Sequence, residues 1–440
     1  MPSCEAFPGA SALTTSDAAL ERTTLRAISW RLLPLIGLGY LVSFMDRVNI
    51  SFAAPQMNAQ LGFTASVYGF GGGLFFISYA LLEVPSNLAL MRVGAPRWLA
   101  RIMITWGLIA MATVLIRTPW QFYAMRFALG AAEAGFFPGV IFYLAQWFPQ
   151  AYRGRAISRF YIAGPLASLV MGSAAGALLS LDGRLGLMGW QWLLLIEGAP
   201  ALLLALFFWR LPQRPAQAAW LSPEQRDWLE SRLAADARAT GAPDHSLLRA
   251  VLRPQVLAIT AANFLMLGSF YAFTLSAPAI LKATTALNPA QVGYVVAGAG
   301  LVGAFGMIFS GWNSDRTRER YLHTVVPLAI TAAAFAVMAA VQAPGIIIAA
   351  YLVALSAYYT VGATNWLIPS EIVHPRALGV TVAAINGVSQ LGSFLFPWLW
   401  GLARDATGSF HLGQALLPFS FLGAAAIYLA LRQVRRGKVV

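Results

Sequence analysis

Residues 32–55, which read LLPLIGLGYLVSFMDRVNISFAAP, decide the fold class of this chain. The stretch is long enough to cross a bilayer, which takes about 20 apolar residues, yet it carries Asp46 and Arg47 side by side near its middle. A charged side chain at that depth costs roughly 2.5 to 3.5 kcal/mol on insertion scales. Both groups should therefore face a protein interior or a water-filled cavity. There they either neutralise each other and lock neighbouring helices, or belong to an ion or substrate pathway.

The composition indicates a membrane protein with many spans. Of the 440 residues, 58% are hydrophobic and 11% are charged, and the mean hydropathy is +0.65; soluble globular chains are about 45 to 50% apolar. The net charge of +13 does not predict nucleic-acid binding, because the basic residues are scattered between apolar stretches instead of gathering on one face. The single cysteine, Cys4, excludes an intrachain disulfide and a cysteine-based metal site.

Hydropathy predicts twelve membrane-spanning helices, the first of them uncleaved because it is too long for a signal peptide. They cover residues 32–54, 68–90, 99–117, 121–145, 157–180, 189–209, 256–281, 290–312, 323–341, 345–368, 378–402 and 412–431. The predicted fold is an all-α membrane protein with two pseudo-symmetric six-helix bundles. The bundles occupy residues 32–210 and 255–432, with a connecting loop over 211–254 and tails over 1–31 and 433–440.

The basic residues predict the orientation of the chain in the membrane. The two tails and the even-numbered loops hold 24 Lys and Arg residues, whereas the loops on the opposite side hold 4. By the positive-inside rule, both termini are expected in the cytoplasm. Within the long connecting loop, Ser222 is expected to cap a helix that begins at Pro223.

The two halves resemble each other in sequence. RGRAISRFYIAG at 153–164 corresponds to PRALGVTVAAING at 375–387, with an offset of 221 between Arg155 and Arg376. The residues at 311–316 correspond to those at 87–92, with an offset of 224. This internal repeat indicates two homologous six-helix halves.

Several short motifs carry a resemblance to a known family. They are MDRVNI at 45–50, EVPSN at 83–87, RFALG at 126–130, EAGFFPG at 133–139, WFP at 147–149 and GWQW at 189–192. In these motifs the chain resembles the major facilitator superfamily, and more narrowly its anion:cation symporter family. That family includes permeases for phthalate, tartrate, hydroxyphenylacetate and galactonate, as well as vesicular glutamate transporters. The resemblance implies an alternating-access carrier with a central site between its two bundles.

One loop departs from the family pattern. Where the loop between spans two and three usually has Gly and Asp, this chain has Asn87 and Met91. The equivalent loop of the second half retains Asp315 and Arg316. We therefore predict that Asp315 and Arg316 form the cytoplasmic gate contact and that the gate is not symmetric.

Span four supplies a second pair of buried charges. Arg126 and Glu133 lie seven residues apart and so share one face of a helix. Together with Asp46 and Arg47 they sum to zero when all four are ionised, so that protonating either carboxylate leaves an arginine uncompensated. Binding of a proton and of an anion would then favour each other. We predict Asp46 and Glu133 as the proton-coupling residues and Arg126 as their counter-charge and a further substrate-binding residue.

Other residues are assigned to the substrate site by the resemblance. It implies that Arg47 clamps the substrate carboxylate, for which a guanidinium fork is well suited. It also implies substrate contacts for Tyr79, and for Asn386 and Gln390, which lie one turn apart on span eleven. For Tyr79 and Asn386, helix packing is the alternative interpretation. Glu83, one turn after Tyr79, has either a gating role or a structural one.

The sequence and the resemblance together predict a secondary transporter and not an enzyme. The expected function is proton-coupled uptake of a small organic carboxylate across the bacterial inner membrane; the alternative is a proton-driven exporter of an organic acid or drug-like compound. No metal ion or cofactor other than coupling protons is expected. The expected partners are the substrate and the lipid bilayer, with no nucleic acid and a monomeric state.

Overall fold

The computed structural model describes residues 15–240, 247–373 and 375–436, and in these ranges the regular structure is helical. The predicted tail segments 1–14 and 437–440, with Cys4, lie outside them. The α-helices are α1 (Thr15–Leu61), α2 (Ala65–Val93), α3 (Ala95–Ala112), α4 (Pro119–Glu133), α5 (Phe136–Ala145), α6 (Gln150–Tyr161), α7 (Ala163–Leu179), α8 (Gly189–Trp209), α9 (Pro223–Thr240), α10 (Leu247–Val251), α11 (Pro254–Thr285), α12 (Pro289–Thr317), α13 (Leu322–Ala340), α14 (Pro344–Asn365), α15 (Pro375–Thr407) and α16 (His411–Arg436).

Eleven helical segments in these ranges are long and apolar enough to cross a membrane, and they coincide with eleven of the predicted spans. The fifth predicted span, 157–180, is the shorter apolar helix α7, and α6 precedes it. The first helix begins at Thr15, so that half of the predicted polar tail continues the first span as helix. Ser222 caps α9 as predicted, because its hydroxyl accepts a hydrogen bond from the backbone N–H of Gln225 at 3.2 Å.

Prolines break two of the predicted spans, the fourth and the fifth. Pro138 has no N–H to donate to the carbonyl of Ala134, and there α4 ends and α5 begins. Gly135 takes the left-handed conformation required by the break, with φ of 87°. In the same way, Pro165 has no N–H to donate to the carbonyl of Tyr161, where α6 ends. The broken fourth span leaves Glu133 as the last residue of α4.

The most extensive contacts between the bundles are those of α2 with α15 and of α7 with α12, and α1 also contacts α11. Glycines make these contacts close: a Cβ on Gly69 would lie 2.2 Å from the carbonyl oxygen of Pro397, and one on Gly172 would lie 2.4 Å from that of Gly293. These contacts lie on the side of the molecule opposite to the termini, which we call the far side. Small residues allow helix backbones to approach in this way.

A carboxylate adds to the closure of the far side. Asp405, near the end of α15, accepts hydrogen bonds at 2.9 Å from the backbone N–H groups of both Ala65 and Ser66, the first residues of α2. A carboxylate at a helix N-terminus satisfies otherwise unpaired N–H groups and opposes the positive end of the helix dipole. The cap therefore ties the second bundle to the first on the far side.

Candidate functional site

The centre of the site is an ion pair between Arg47 and Glu133. Arg47 donates hydrogen bonds from Nε at 2.9 Å and from Nη2 at 2.7 Å, both to Glu133 Oε1. The hydroxyl of Ser43, one helical turn earlier on α1, donates to the same oxygen at 2.6 Å. Glu133 is fully buried and Arg47 is 9% exposed. One carboxylate oxygen thus accepts three hydrogen bonds, whereas Oε2 has no partner in the described structure.

Glu133 and its predicted counter-charge Arg126 interact electrostatically, but Arg126 is not the residue that contacts Glu133 directly. Spacing along α4 places the two residues on one face, but the direct partner of Glu133 comes from α1. Arg126 is 2% exposed, and its guanidinium lies 5.1 Å from the centre of the Phe75 ring. It interacts electrostatically with both Asp46 and Glu133, and more strongly with Asp46. The buried charges thus comprise one hydrogen-bonded pair, Arg47 with Glu133, and a second arginine, Arg126, that interacts electrostatically with both carboxylates.

Aromatic side chains form a wall around the Arg47 guanidinium. Its Cζ lies 4.9 Å from the centre of the Tyr79 ring and 5.5 Å from that of Phe75. The hydroxyls of Tyr79 and Tyr271 interact with the same guanidinium from the two bundles. Cation–π contacts of this kind stabilise a buried guanidinium and hold it in place. The structure thus brings the predicted Tyr79 next to the predicted Arg47.

Glu83, Asn386 and Gln390 form a polar row across the bundle interface. Asn386 on α15 donates from Nδ2 to Glu83 Oε2 on α2 at 3.4 Å, and Gln390 donates from Nε2 to Asn386 Oδ1 at 3.4 Å. Glu83 also interacts electrostatically with Arg47. Gln390 Oε1 is buried without a described partner. The row therefore begins beside the Arg47 cluster and offers amide groups from the second bundle.

A second cluster of amide side chains lies inside the second bundle, and its polar groups bond to one another. Asn263 donates to the Tyr428 hydroxyl at 2.9 Å, Asn365 donates to Asn263 Oδ1 at 2.8 Å, and the Tyr428 hydroxyl donates to Asn365 Oδ1. The three side chains come from α11, α14 and α16, and none exceeds 1% exposure. Since these donors and acceptors satisfy one another inside the bundle, the cluster holds helices together.

The predicted gate residues Asp315 and Arg316 lie at the end of α12 and are exposed. Arg316 lies over the Trp312 ring at 5.4 Å, and in the described part of the chain neither residue makes an ion pair. The ion pairs at this end of the second bundle are instead formed by the neighbouring Glu319 with Arg432, and by Glu371 with both Arg320 and Arg435. In this conformation the charges therefore link helices within one bundle.

Glu197 on α8 is a buried acid that the sequence analysis missed. It is 6% exposed, and neither carboxylate oxygen has a hydrogen-bond partner among the described residues. The available signal was an acidic residue inside the predicted span 189–209, the same signal that singled out Asp46. With Glu83 and Glu197 included, the buried acids outnumber Arg47 and Arg126 by two when all are ionised. The balance of zero inferred from four charges is therefore incomplete.

Comparisons with known proteins bear on the family and the fold of this chain. Residues 36–397 match the family described as Major Facilitator Superfamily. The "Putative tartrate transporter" of Agrobacterium vitis is 38% identical over 422 residues, which cover 95% of this chain and 93% of the relative. The "Quinolone resistance transporter" of Acinetobacter baumannii is 35% identical over 422 residues, 95% of this chain and 97% of the relative. The inward-open xylose transporter of E. coli has a TM-score of 0.73 at 16% identity, covers 91% of this chain and 96% of its own, and is similar in fold.

Proposed function

The chain belongs to the Major Facilitator Superfamily, and from that premise we propose that it is a proton-coupled symporter for a small organic carboxylate. Its family and relatives are multi-pass membrane transporters of small molecules and not enzymes. The proposal adds the substrate class, the coupling ion and the direction, which is uptake across the bacterial inner membrane with cytoplasmic termini. The observation that carries it is the hydrogen-bonded pair of Arg47 and Glu133 at the bundle interface.

Protonation of Glu133 supplies the link between proton and substrate. Ionised Glu133 occupies Arg47 through Oε1, so that the guanidinium has its counter-charge within the protein. A proton on the carboxylate removes that charge and leaves a buried arginine uncompensated, which is costly. A substrate carboxylate that binds Arg47 restores the balance, and a guanidinium can bind it through two parallel hydrogen bonds. Proton and carboxylate thus bind cooperatively, as symport requires.

The remaining site residues suit the rest of the substrate. Tyr79 and Tyr271 lie beside Arg47, and Asn386 and Gln390 offer amide donors and acceptors from the second bundle. Amides in this position favour a substrate with hydroxyl groups, which agrees with a relative named for tartrate. The Glu83 carboxylate accepts a hydrogen bond from the Asn386 amide across the bundle interface. Movement of the bundles therefore changes this gating contact of Glu83 together with the substrate contacts of Asn386.

Alternating access follows from the way the bundles meet. The far side is held by the glycine contacts of α2 with α15 and by the Asp405 cap. We propose that these contacts break when the site opens to the far side, and that Asp315 and Arg316 form their gate contact in that second state. The carrier acts as a monomer, with the proton as its coupling ion. One proton with a monoanion is electroneutral, whereas each extra proton adds about 2.3 kcal/mol per 100 mV of membrane potential.

Proton-driven export is a second candidate function. The specific observation in its favour is the 35% identity to a relative named for quinolone resistance. Quinolones also carry a carboxylate, so that the Arg47 chemistry does not separate the two functions. They differ in the direction of net transport under a proton gradient.

A binding screen followed by a flux measurement tests the proposal. Purified protein is heated with hydroxy, dicarboxylic, aromatic and sugar acids and with quinolones, because a ligand of the folded state raises its apparent stability. The proposal expects stabilisation by one group of small carboxylates, and uptake of that acid into proteoliposomes in the direction of proton flow. Stabilisation by quinolones alone, with transport against proton flow, would establish the exporter instead.

A further inference from the structure

The hydroxyl of Ser43 bonds to the carboxylate that carries the proposed coupling. Ser43 lies on α1, one turn before Arg47, and is 1% exposed. Its Oγ donates to Glu133 Oε1 at 2.6 Å, a length typical of charge-assisted O–H···O⁻ bonds. A buried serine in a helix more often bonds to the backbone of the preceding turn, as Ser51 does on the same helix, where it donates to the carbonyl of Val48. Ser43 therefore bonds across to α4, to the side chain of Glu133.

The place of Glu133 in its helix makes such donors necessary. Glu133 is fully buried and is the last residue of α4. The partial negative charge at a helix C-terminus disfavours a carboxylate there. An ionised carboxylate in these surroundings requires a counter-charge and hydrogen bonds. Arg47 supplies the charge and two hydrogen bonds, and Ser43 supplies a third.

The two oxygens of Glu133 are unequally occupied. A carboxylate has about four lone-pair sites, shared equally between its two oxygens. Oε1 accepts three hydrogen bonds and has no site left for a proton. Oε2 is buried and has no hydrogen-bond partner among the described residues. A proton that reaches Glu133 can therefore bind at Oε2 while the three donors keep their bonds to Oε1.

Other titratable groups also act on the Glu133 carboxylate. They come from α1, α2, α4 and α11, and they are Asp46 and Tyr40, Tyr79, Arg126, and Tyr271. Together with Arg47 they set the electrostatic field at the site. Replacing Ser43 by alanine leaves all of them in place, so that its effect on proton binding reports the lost hydroxyl.

We propose that Ser43 is a positioning residue for the coupling proton: with Arg47 it holds Glu133 Oε1, leaves Oε2 to take the proton, and sets the pH of proton uptake. An O–H bond forms at Oε2 on uptake and breaks on release, and no other covalent bond changes. A hydrogen bond to a carboxylate is stronger than one to a neutral carboxyl, so the Ser43 hydroxyl favours the ionised form. The role in transport rests on the proposed symport, but the position of the proton does not.

Infrared spectroscopy of the purified protein without substrate tests the proposal. A protonated carboxyl has a C=O stretching band that a carboxylate lacks, and the band that Glu133→Gln removes belongs to Glu133. Ser43→Ala should move the pH at which this band is half-formed towards alkaline by about one unit, as expected for one lost hydrogen bond to a charged group. It should also raise the frequency of the band, because the C=Oε1 group loses one hydrogen bond. Ser43→Thr, which keeps a hydroxyl, should restore both.

Ser51→Ala is the matched control, since it removes a buried hydroxyl of α1 that bonds to the backbone. It should leave the Glu133 band unchanged. An unmoved midpoint in Ser43→Ala, or the absence of any Glu133 band at acid pH, would overturn the proposal. A moved midpoint at unchanged frequency would overturn the assignment of the proton to Oε2. If the band behaves as expected but carboxylate binding does not depend on pH, the proposed symport fails and the role of Ser43 stands.

Discussion

Replacing Glu133 by Gln separates binding from coupling, and the structure allows its effects to be worked out. Glutamine keeps the shape of the side chain and mimics the protonated acid, but it removes the negative charge that Oε1 presents to Arg47 and Ser43. Removing one partner of a buried ion pair costs about 3 to 5 kcal/mol. The empty variant should therefore be less stable than the wild type.

A bound anion should restore much of that loss, because it supplies the missing counter-charge to Arg47. The variant is thus expected to gain more stability from a saturating carboxylate than the wild type does, and its affinity should depend less on pH, because Glu133 no longer binds a proton. Thermal unfolding with and without the ligand measures the first effect. Titration of the ligand across the pH range measures the second.

Unlike substrate binding, which Glu133→Gln should retain, proton-driven accumulation should be lost in this variant. In proteoliposomes a gradient of about one pH unit, worth about 1.4 kcal/mol, allows the wild type to concentrate a monoanion tenfold with one proton. Glu133→Gln should exchange substrate across the membrane but bring it only to equal concentrations. Glu224→Gln, an exposed change on α9, is the matched control and should accumulate normally. Normal accumulation by Glu133→Gln would refute the link between this carboxylate and the proton.

The other predictions concern the clamp, the far-side closure and the amide cluster. Arg47→Lys should raise the apparent KM for carboxylates at least tenfold, since the loss of one charge-assisted hydrogen bond costs about 1.5 to 3 kcal/mol; an unchanged KM would remove Arg47 from the clamp. Asp405→Asn should weaken the cap on α2 by about 1 kcal/mol. In a chain whose only native cysteine, Cys4, is replaced, it should increase the labelling of a cysteine placed at Asn58, which lines the small far-side cavity. Equal labelling with and without Asp405→Asn would contradict the proposed closure. Asn365→Ala should lower stability by about 1 to 3 kcal/mol per unsatisfied partner while leaving KM unchanged, and a raised KM would show that the cluster binds substrate.

Helix positions and intramembrane charges were predictable from sequence for a physical reason. The bilayer demands apolar stretches of fixed length, so each predicted span overlaps a helix. The same demand makes any buried charge conspicuous, which singled out Asp46, Arg47, Arg126 and Glu133. The structure brings Arg47 and Glu133 together and sets Tyr79, Glu83 and Asn386 close by.

The partners of these charges were not predictable from spacing. Periodicity places Arg126 and Glu133 on one face of α4, but only the packing of α1 decides that Arg47 contacts Glu133 and that Asp46 interacts with Arg126. Glu197 was missed although an acid within a span signals function in the same way. Exposure of Asp315 and Arg316 depends on the conformation of the carrier, which one sequence does not specify.

Proton uptake on substrate binding tests the central claim most directly. Calorimetry measures the heat of binding of the carboxylate identified by the thermal screen, in two buffers that differ in their heat of ionisation. The titration starts from protein in which Glu133 is ionised. The difference in heat gives the number of protons taken from the buffer. The account predicts about one proton per bound carboxylate, lost in Glu133→Gln, because anion and proton binding are reciprocally linked. Tight carboxylate binding by the wild type with no proton uptake would contradict it.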